Sequence, residues 1–491
     1  MRQRVWLASR AGLTPALPAL SFDGETWTFA ELERRARAMA RALHALGVRS
    51  GELVAALLPN GADFAALAHA TQFCGAALLP LNLRLAPREL AFQLGDARPR
   101  LLVHAAGELA ALAESACREL PDIRRAETPR GDGPPGVELR EELELGETCA
   151  VVYTSGTTGA PKGAELAHGA FLWNAIGSAF HLGNAPGDRW LACLPLQHVG
   201  GLAILYRSVL TGSAVTLHER FEPARVAAEL DAGGVTLVSL VANMLERVLD
   251  ARGERPAPPG LRCVLLGGGP APGRLLRRAR ALGFPIATTY GLTEAASQVA
   301  TLPLERARAE GDSVGLPLFC TELRIVSPDG VALPAGEPGE IAVRGPTLLK
   351  SYLRRPEETA RALRGGWLHT GDVGLIDARG ELHVLDRRSD LIVSGGENVY
   401  PAEVEAALRE HPAVVDAAVA AEPDPAFGAR VAAWIVLRAG ARSTPAELAS
   451  FCRERLAGYK IPRSVHFVPA LPRSESGKLL RRALAPPSSA P

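Results

Sequence analysis

The sequence predicts an α/β protein. A large N-terminal domain of helix-covered sheets carries a small β unit and is followed by a small C-terminal α+β domain. Three observations lead there. Apolar strand-like runs alternate with amphipathic helical stretches along most of the chain. Between residues 314 and 385 the texture changes to short alternating strands cut by Pro-Asp-Gly and Pro-Ala-Gly turns. Past a charged segment at 386–390 (DRRSD), a second α/β pattern begins.

In chain order, Thr28 and Glu31 have the spacing of a capping box. Behind it Phe29, Leu32, Ala36, Met39, Leu43 and Leu46 recur at helical period until Gly47 stops the run. Residues 53–58 (LVAALL) read as a buried strand, as do 235–240 and 262–266. Residues 64–83 are uncharged over twenty positions. His69, Thr71, Gln72, Pro80 and Asn82 make them a buried helix followed by a strand, not a membrane span. Residues 127–137 form a Pro/Gly-rich polar loop, and 321–326 and 340–344 are strands of the β unit. Pro401 opens a helix at its first turn, and 413–421 is a strand. The expected domains are 1–385 and 391–491, with the boundary at 386–390. The tail 486–491 (PPSSAP) is expected to be disordered.

Length and composition bound the function. At 491 residues the chain exceeds one compact core. A net charge of +1 supplies no field for nucleic acid or an acidic membrane. Seven cysteines, none in a C-x-x-C pair, argue against a disulfide framework or a zinc site and suit a reducing, cytoplasmic setting. The N-terminus has basic residues without an apolar run behind them, so no signal peptide is expected. A homo-oligomer is left open.

Only four of the 54 basic residues are lysine: Lys162, Lys350, Lys460 and Lys478. Lysine is a compact point charge and arginine a planar fork. Lys350 reads as a surface lysine. Lys162 and Lys478 sit in Gly/Ser/Thr loops, 154–163 (TSGTTGAPKG) and 474–478 (SESGK). The first loop follows an apolar strand, and its glycines turn backbone N–H groups toward an anion. Hydroxyls of Thr154, Ser155, Thr157 and Thr158 add donors, and Lys162 adds charge. It is not a Walker loop, because Pro161 stands where the second glycine would be. Residues 311–315 (GDSVG) match a nucleophile elbow by letter only, since no strand precedes them and no helix follows. Residues 267–273 (GGGPAPG) follow a strand, but Pro272 replaces the last glycine of a dinucleotide loop. They can still hold a nucleotide ring against backbone.

Taken in order, these motifs resemble the adenylate-forming acid–thiol ligases. The matching stretches are 153–163, 290–294 (YGLTE), 367–372 (WLHTGD), Asp386-Arg387 with 394–398 (SGGEN), and 472–478. The resemblance spans nearly the whole chain and implies ATP, Mg²⁺ and coenzyme A as cofactor and co-substrates. It implies that Thr154, Ser155, Gly156, Thr157, Thr158, Gly159 and Lys162 hold the β- and γ-phosphates. Gly268, Gly269 and Tyr290 would flank the adenine, Thr293 and Glu294 would meet the α-phosphate and Mg²⁺, and Asp372 would take the ribose hydroxyls with Arg387 beside it. Lys478 would bridge the acid's carboxylate and the α-phosphate. The resemblance also implies a mobile C-terminal domain: Lys478 swings in for adenylation and out for the thiol, about a hinge where Ser389 replaces the family's Asp or Lys.

Residues 193–202 (CLPLQHVGGL), 206–208 (YRS), 265–272 and 289–298 resemble the o-succinylbenzoate–CoA ligases of menaquinone synthesis. Their acid has two carboxylates, one activated and one needing a cation or donors. Arg207 and Ser297 are the candidates for the second; His198 and Gly291 would line the acyl pocket. In relatives the position held here by Gln197 is usually aromatic. Competing expectations are the same chemistry on another aromatic or fatty acid, a stand-alone adenylation enzyme loading a carrier protein, and a non-catalytic nucleotide-binding regulator.

Overall fold

The computed structural model describes the chain except residues 132, 156–160, 270, 309–310, 312, 387–391, 473–478, 480 and 485–491; at 155, 386, 402 and 482 only the backbone is described. Among the described residues, two large sheets dominate. One has seven strands, in the order Ser351–Tyr352, Pro161–Ala167, Thr148–Ser155, Ala77–Pro80, Leu53–Leu57, Leu101–His104, Arg124–Glu127. Its last five strands run parallel. The other has nine strands, with a parallel centre built from Ile286–Leu292, Cys263–Leu266, Leu237–Leu240, Arg189–Ala192, Ala214–Leu217 and Pro18–Phe22.

Helices cover both sheets, as the strand–helix rhythm predicts. The helix Ala62–Cys74 shows how the sheets are joined. Every residue from Phe64 to Phe73 is buried, so the helix has no solvent face and lies inside one core. That core joins side chains of both sheets, including Val54, Leu78, Trp190 and Leu265. The helix Phe29–Ala45 starts on the expected capping box: Glu31 N–H donates to Thr28 Oγ1 and Thr28 N–H to Glu31 Oε2. Its apolar stripe, Phe29, Leu32, Ala36, Met39 and Leu43, is buried.

The strands Glu322–Val326, Gly339–Arg344, Trp367–Ile376 and Leu382–Asp386 pair antiparallel as the β unit. Ile392–Ser394 and Glu397–Val399 then form a hairpin. Beyond it Val414–Asp424, Gly428–Leu437 and Ser464–Phe467 make a three-stranded sheet under the helices Pro401–Arg409 and Pro445–Arg453. These elements bury a separate cluster around Val404, Leu408, Ile435 and Leu448. The expected hinge at 386–390, beyond Asp386, and the tail 486–491 lie outside the described residues. All seven cysteines are free thiols, and no described helix is long and apolar enough to cross a membrane.

Two histidines are buried in the main core. His69 packs edge-on against Tyr206, and His168 against Trp6. Burial pushes each imidazole down to about 4. Both stay neutral in the folded chain while the unfolded chain takes up protons below about pH 6.5. Stability is therefore full above that pH and falls as pH drops toward 4, by up to about 3 kcal/mol per histidine. Denaturant midpoints measured from pH 7.5 to 4.5 should fall with pH, and His69→Leu should flatten the slope.

Candidate active site

The parallel strands of both sheets end at one crevice, the place where open α/β sheets bind ligands. Asn60 and Asn82 follow strands of the first sheet; Pro195, Val241 and Gly267 follow strands of the second. Two cavities occupy the crevice, of about 170 and 600 Å³, and both are lined by Gln197, His198, Gly291, Thr293 and Glu397.

The smaller cavity gathers the residues expected around the nucleotide. Thr148–Ser155 and Pro161–Ala167 are antiparallel neighbours, with Ser155 opposite Pro161 and Thr154 opposite Lys162. The phosphate loop thus joins two strands of a hairpin. Gly156, Thr157, Thr158 and Gly159 lie outside the described residues. A side chain at Gly163 would meet Val151 Cγ1 at 2.8 Å, so glycine is needed for the pairing. Tyr153 anchors the hairpin, its hydroxyl donating to Asp96 Oδ2 at 2.8 Å. Thr154, Thr293, Glu294 and Asp372 all line this cavity.

Two tyrosines hold the acids. Tyr352 donates to Glu294 Oε1 at 2.7 Å, and its ring lies 5.4 Å from the Lys162 ammonium. One side chain therefore sets both the expected metal ligand and the loop cation. Tyr290 is buried and donates to Asp372 Oδ2 at 2.6 Å, which fixes the carboxylate expected to meet a ribose. Gly268 lines the larger cavity in the left-handed region, at φ +76°, and Gly269 follows it. Arg387 and Lys478 lie outside the described residues. Ser313, in the elbow-like stretch, donates instead to the buried Glu381.

The larger cavity is the more apolar of the two, floored by a cation. Arg207 is 4% exposed and lines it with Ser297, Gln298, Leu240 and Val241. Its Nη2 donates to Gln298 Oε1 at 3.0 Å and reaches Asn174 Oδ1 at 3.4 Å, and Trp190 lies 5.1 Å from its guanidinium carbon. Among the described residues no carboxylate pairs with it, and its Nε has no hydrogen-bond partner. Burial draws its pKa down to about 10, so it remains charged at neutral pH. A buried cation held only by neutral dipoles calls for an anion. Ser297 stands close by in an unusual backbone: Ala296 and Ser297 have φ +55° and +125°, a sparsely populated region that concentrates at functional sites. A side chain at Gly291 would run into the Ser297 carbonyl, so only glycine fits that bulge.

His198 caps the start of the helix Val199–Thr211, which carries Arg207 further along. Its Nε2 lies 3.3 Å from Glu397 Oε2. Glu397 comes from the C-terminal hairpin, is 3% exposed, and also accepts from Arg84 at 3.1 Å. Burial pushes its carboxyl up, but His198 and Arg84 outweigh this and hold it below the usual range. Glu397, Tyr352 and Gln298 are site residues that the sequence left unassigned. Glu397 and Gln298 lay within quoted motifs; nothing local marks Tyr352.

Comparison with known proteins accords with this geometry. Residues 7–353 match the AMP-binding enzyme family, and residues 403–478 match the AMP-binding enzyme C-terminal domain. The chain belongs to the AMP-binding enzyme family. It is 46% identical over 479 residues to the 2-succinylbenzoate–CoA ligase of Geobacillus kaustophilus, covering 98% of this chain and 96% of that protein. It is also similar to a double mutant of the o-succinylbenzoate CoA synthetase of Bacillus subtilis bound with its product analogue OSB-NCoA. There the TM-score is 0.92 and the identity 39%, over 98% of each chain. The same Bacillus enzyme in complex with ATP and magnesium ion gives a TM-score of 0.76 at 40% identity, over 99% of this chain and 100% of that one.

If Arg207 is kept for a ligand and not for the fold, Arg207→Met should leave stability nearly unchanged. The cost of unsatisfied Gln298 and Asn174 offsets the relief of the buried charge, so the unfolding free energy read from denaturant titration should change by less than about 1 kcal/mol.

Proposed function

We propose that this chain is an ATP- and Mg²⁺-dependent ligase that activates 2-succinylbenzoate as an acyl-adenylate and transfers the acyl group to coenzyme A. The observation that carries the choice of acid is the buried Arg207 guanidinium, which has no acidic partner among the described residues. A monocarboxylic acid offers it nothing once its carboxylate is activated. 2-Succinylbenzoate keeps a second carboxylate, which Arg207 can hold by charge-assisted hydrogen bonds, with Ser297 as a further donor.

A free carboxylate does not acylate a thiol, because oxide is a poor leaving group. In the first step a carboxylate oxygen attacks the α-phosphorus of ATP and diphosphate leaves. Two anions meet there, so positive charge must be placed in advance. Lys162 at the base of the phosphate loop and Lys478 from the C-terminal domain supply it, and the Thr154 hydroxyl adds a neutral donor. Magnesium, when bound, neutralises phosphate charge, and Glu294 is the hard oxygen donor suited to it. Asp372, fixed by Tyr290, accepts from the ribose hydroxyls. In the second step the thiol sulfur attacks the acyl carbon, AMP leaves and the thiol proton is lost. His198, where the two cavities meet, lies where that step occurs, held by Glu397. The proposal includes a large domain over 1–385, a hinge at 386–390 and a lid over 391–491, and a cytoplasmic setting, which the free cysteines support.

Diphosphate exchange against a panel of acids tests the substrate. Exchange should be strong with 2-succinylbenzoate and weak with benzoate or palmitate, and Arg207→Met should remove that preference. An equal or reversed preference in the wild-type enzyme overturns the assignment of the acid.

Lys478 tests the division of labour. Lys478→Ala should cut adenylation by about 10²–10³-fold, the usual effect of one preorganised donor. Thioester formation from supplied acyl-adenylate should stay close to normal. Equal losses in both half-reactions would contradict a lysine that acts only in the first.

A further inference from the structure

Lys460 lies in a turn, Gly458–Lys460, within the C-terminal region, and is 3% exposed. Its ammonium is 2.5 Å from Glu89 Oε1 and 2.7 Å from Glu403 Oε1. Glu403 belongs to the same region as Lys460, on the helix Pro401–Arg409. Glu89 belongs to the opposite side, on the helix Pro87–Ala97 of the large domain. The turn enters that side bodily. Ala457 is part of a large-domain core cluster with Leu85, Leu90 and Leu94. Tyr459 packs against this cluster and against the core of the C-terminal region, and Arg84 lies over its ring at 4.7 Å.

The triad is built to come apart. A buried charge that loses its partner is expensive, so a permanent brace would leave each side uncompensated on separation. Here each side keeps a partner. Lys460 retains Glu403, and Glu89 retains the Ala86 N–H, which donates to its Oε2 at 2.8 Å as the cap of its own helix. The helix also touches the nucleotide side of the crevice, since Asp96 and the Gln93 carbonyl accept from Tyr153 before the phosphate loop. The arrangement containing the triad overlays on the product-analogue complex of the Bacillus enzyme at a TM-score of 0.92, against 0.76 for its ATP–magnesium complex, at nearly equal identity.

We infer that Lys460 is a positioning residue: its contact with Glu89 is a reversible latch that holds the C-terminal domain in the arrangement for thiol transfer, and the contact is released for adenylation. This rests on the two-step reaction proposed above. It assigns the latch to the second half-reaction alone, with Glu403 as the partner that keeps Lys460 satisfied when the contact opens.

The test uses the full-length enzyme and whichever acid the wild type activates best, so a wrong substrate assignment appears in the wild-type panel and leaves this test intact. Glu89→Gln changes only the large-domain face and keeps the Lys460–Glu403 pair; Lys460→Met is the second variant. Each should slow single-turnover thioester formation from preformed acyl-adenylate by about tenfold or more, while diphosphate exchange stays within about twofold of wild type. The double variant should be no slower than the worse single one. Equal loss in both half-reactions for Glu89→Gln, an unchanged thioester rate, or additive losses in the double variant would each overturn the latch.

Discussion

The charge on Arg207 is the constraint around which the rest of the crevice is arranged. Every route to a stable buried guanidinium has been left incomplete. The amides of Gln298 and Asn174 offer dipoles, and Trp190 offers a π face, but no described carboxylate is near. An apolar residue would pack there without that desolvation cost. The surrounding elements keep the site intact: the parallel strands bring both sheets to one edge, and the helix Ala62–Cys74, buried from Phe64 to Phe73, locks them into a single core.

The second theme is that acidic groups are oriented by tyrosines. Tyr290 and Tyr352 each donate to one carboxylate oxygen, of Asp372 and Glu294 respectively. A phenol is a donor that does not neutralise its acceptor, so each carboxylate is aimed while its charge is kept. That suits the roles proposed for them, Asp372 accepting from a diol and Glu294 facing a cation. An arginine in either place would cancel the charge that the proposed chemistry needs.

Much of the architecture was legible because it is written locally. The Thr28–Glu31 box and its apolar stripe need only one turn of helix and its period to be read. The uncharged stretch after Asp63 announced a helix without a wet side. Motif order carried most of the crevice. The phosphate loop was seen as a loop after a strand, yet its return as a second strand was not, since PKGAELA has little intrinsic strand preference and is held by its register with Thr148–Ser155. Tyr352 sits 58 positions from the acid it orients, and Glu89 is 371 positions from the lysine it meets. No local pattern encodes such meetings; they exist only once the chain is folded.

The helix Val199–Thr211 ties two candidate site residues to one rigid rod. His198 precedes its first residue and Arg207 falls nine positions further along. At 1.5 Å per residue their backbones are separated by about 13 Å along the axis. The fold thereby acts as a ruler. On the function proposed above, an acid would be measured between His198, where its activated end would meet sulfur, and Arg207, where its other end would meet positive charge. Under that proposal selectivity would depend on molecular length as well as charge, with the gauge set by a helix and not by a loop.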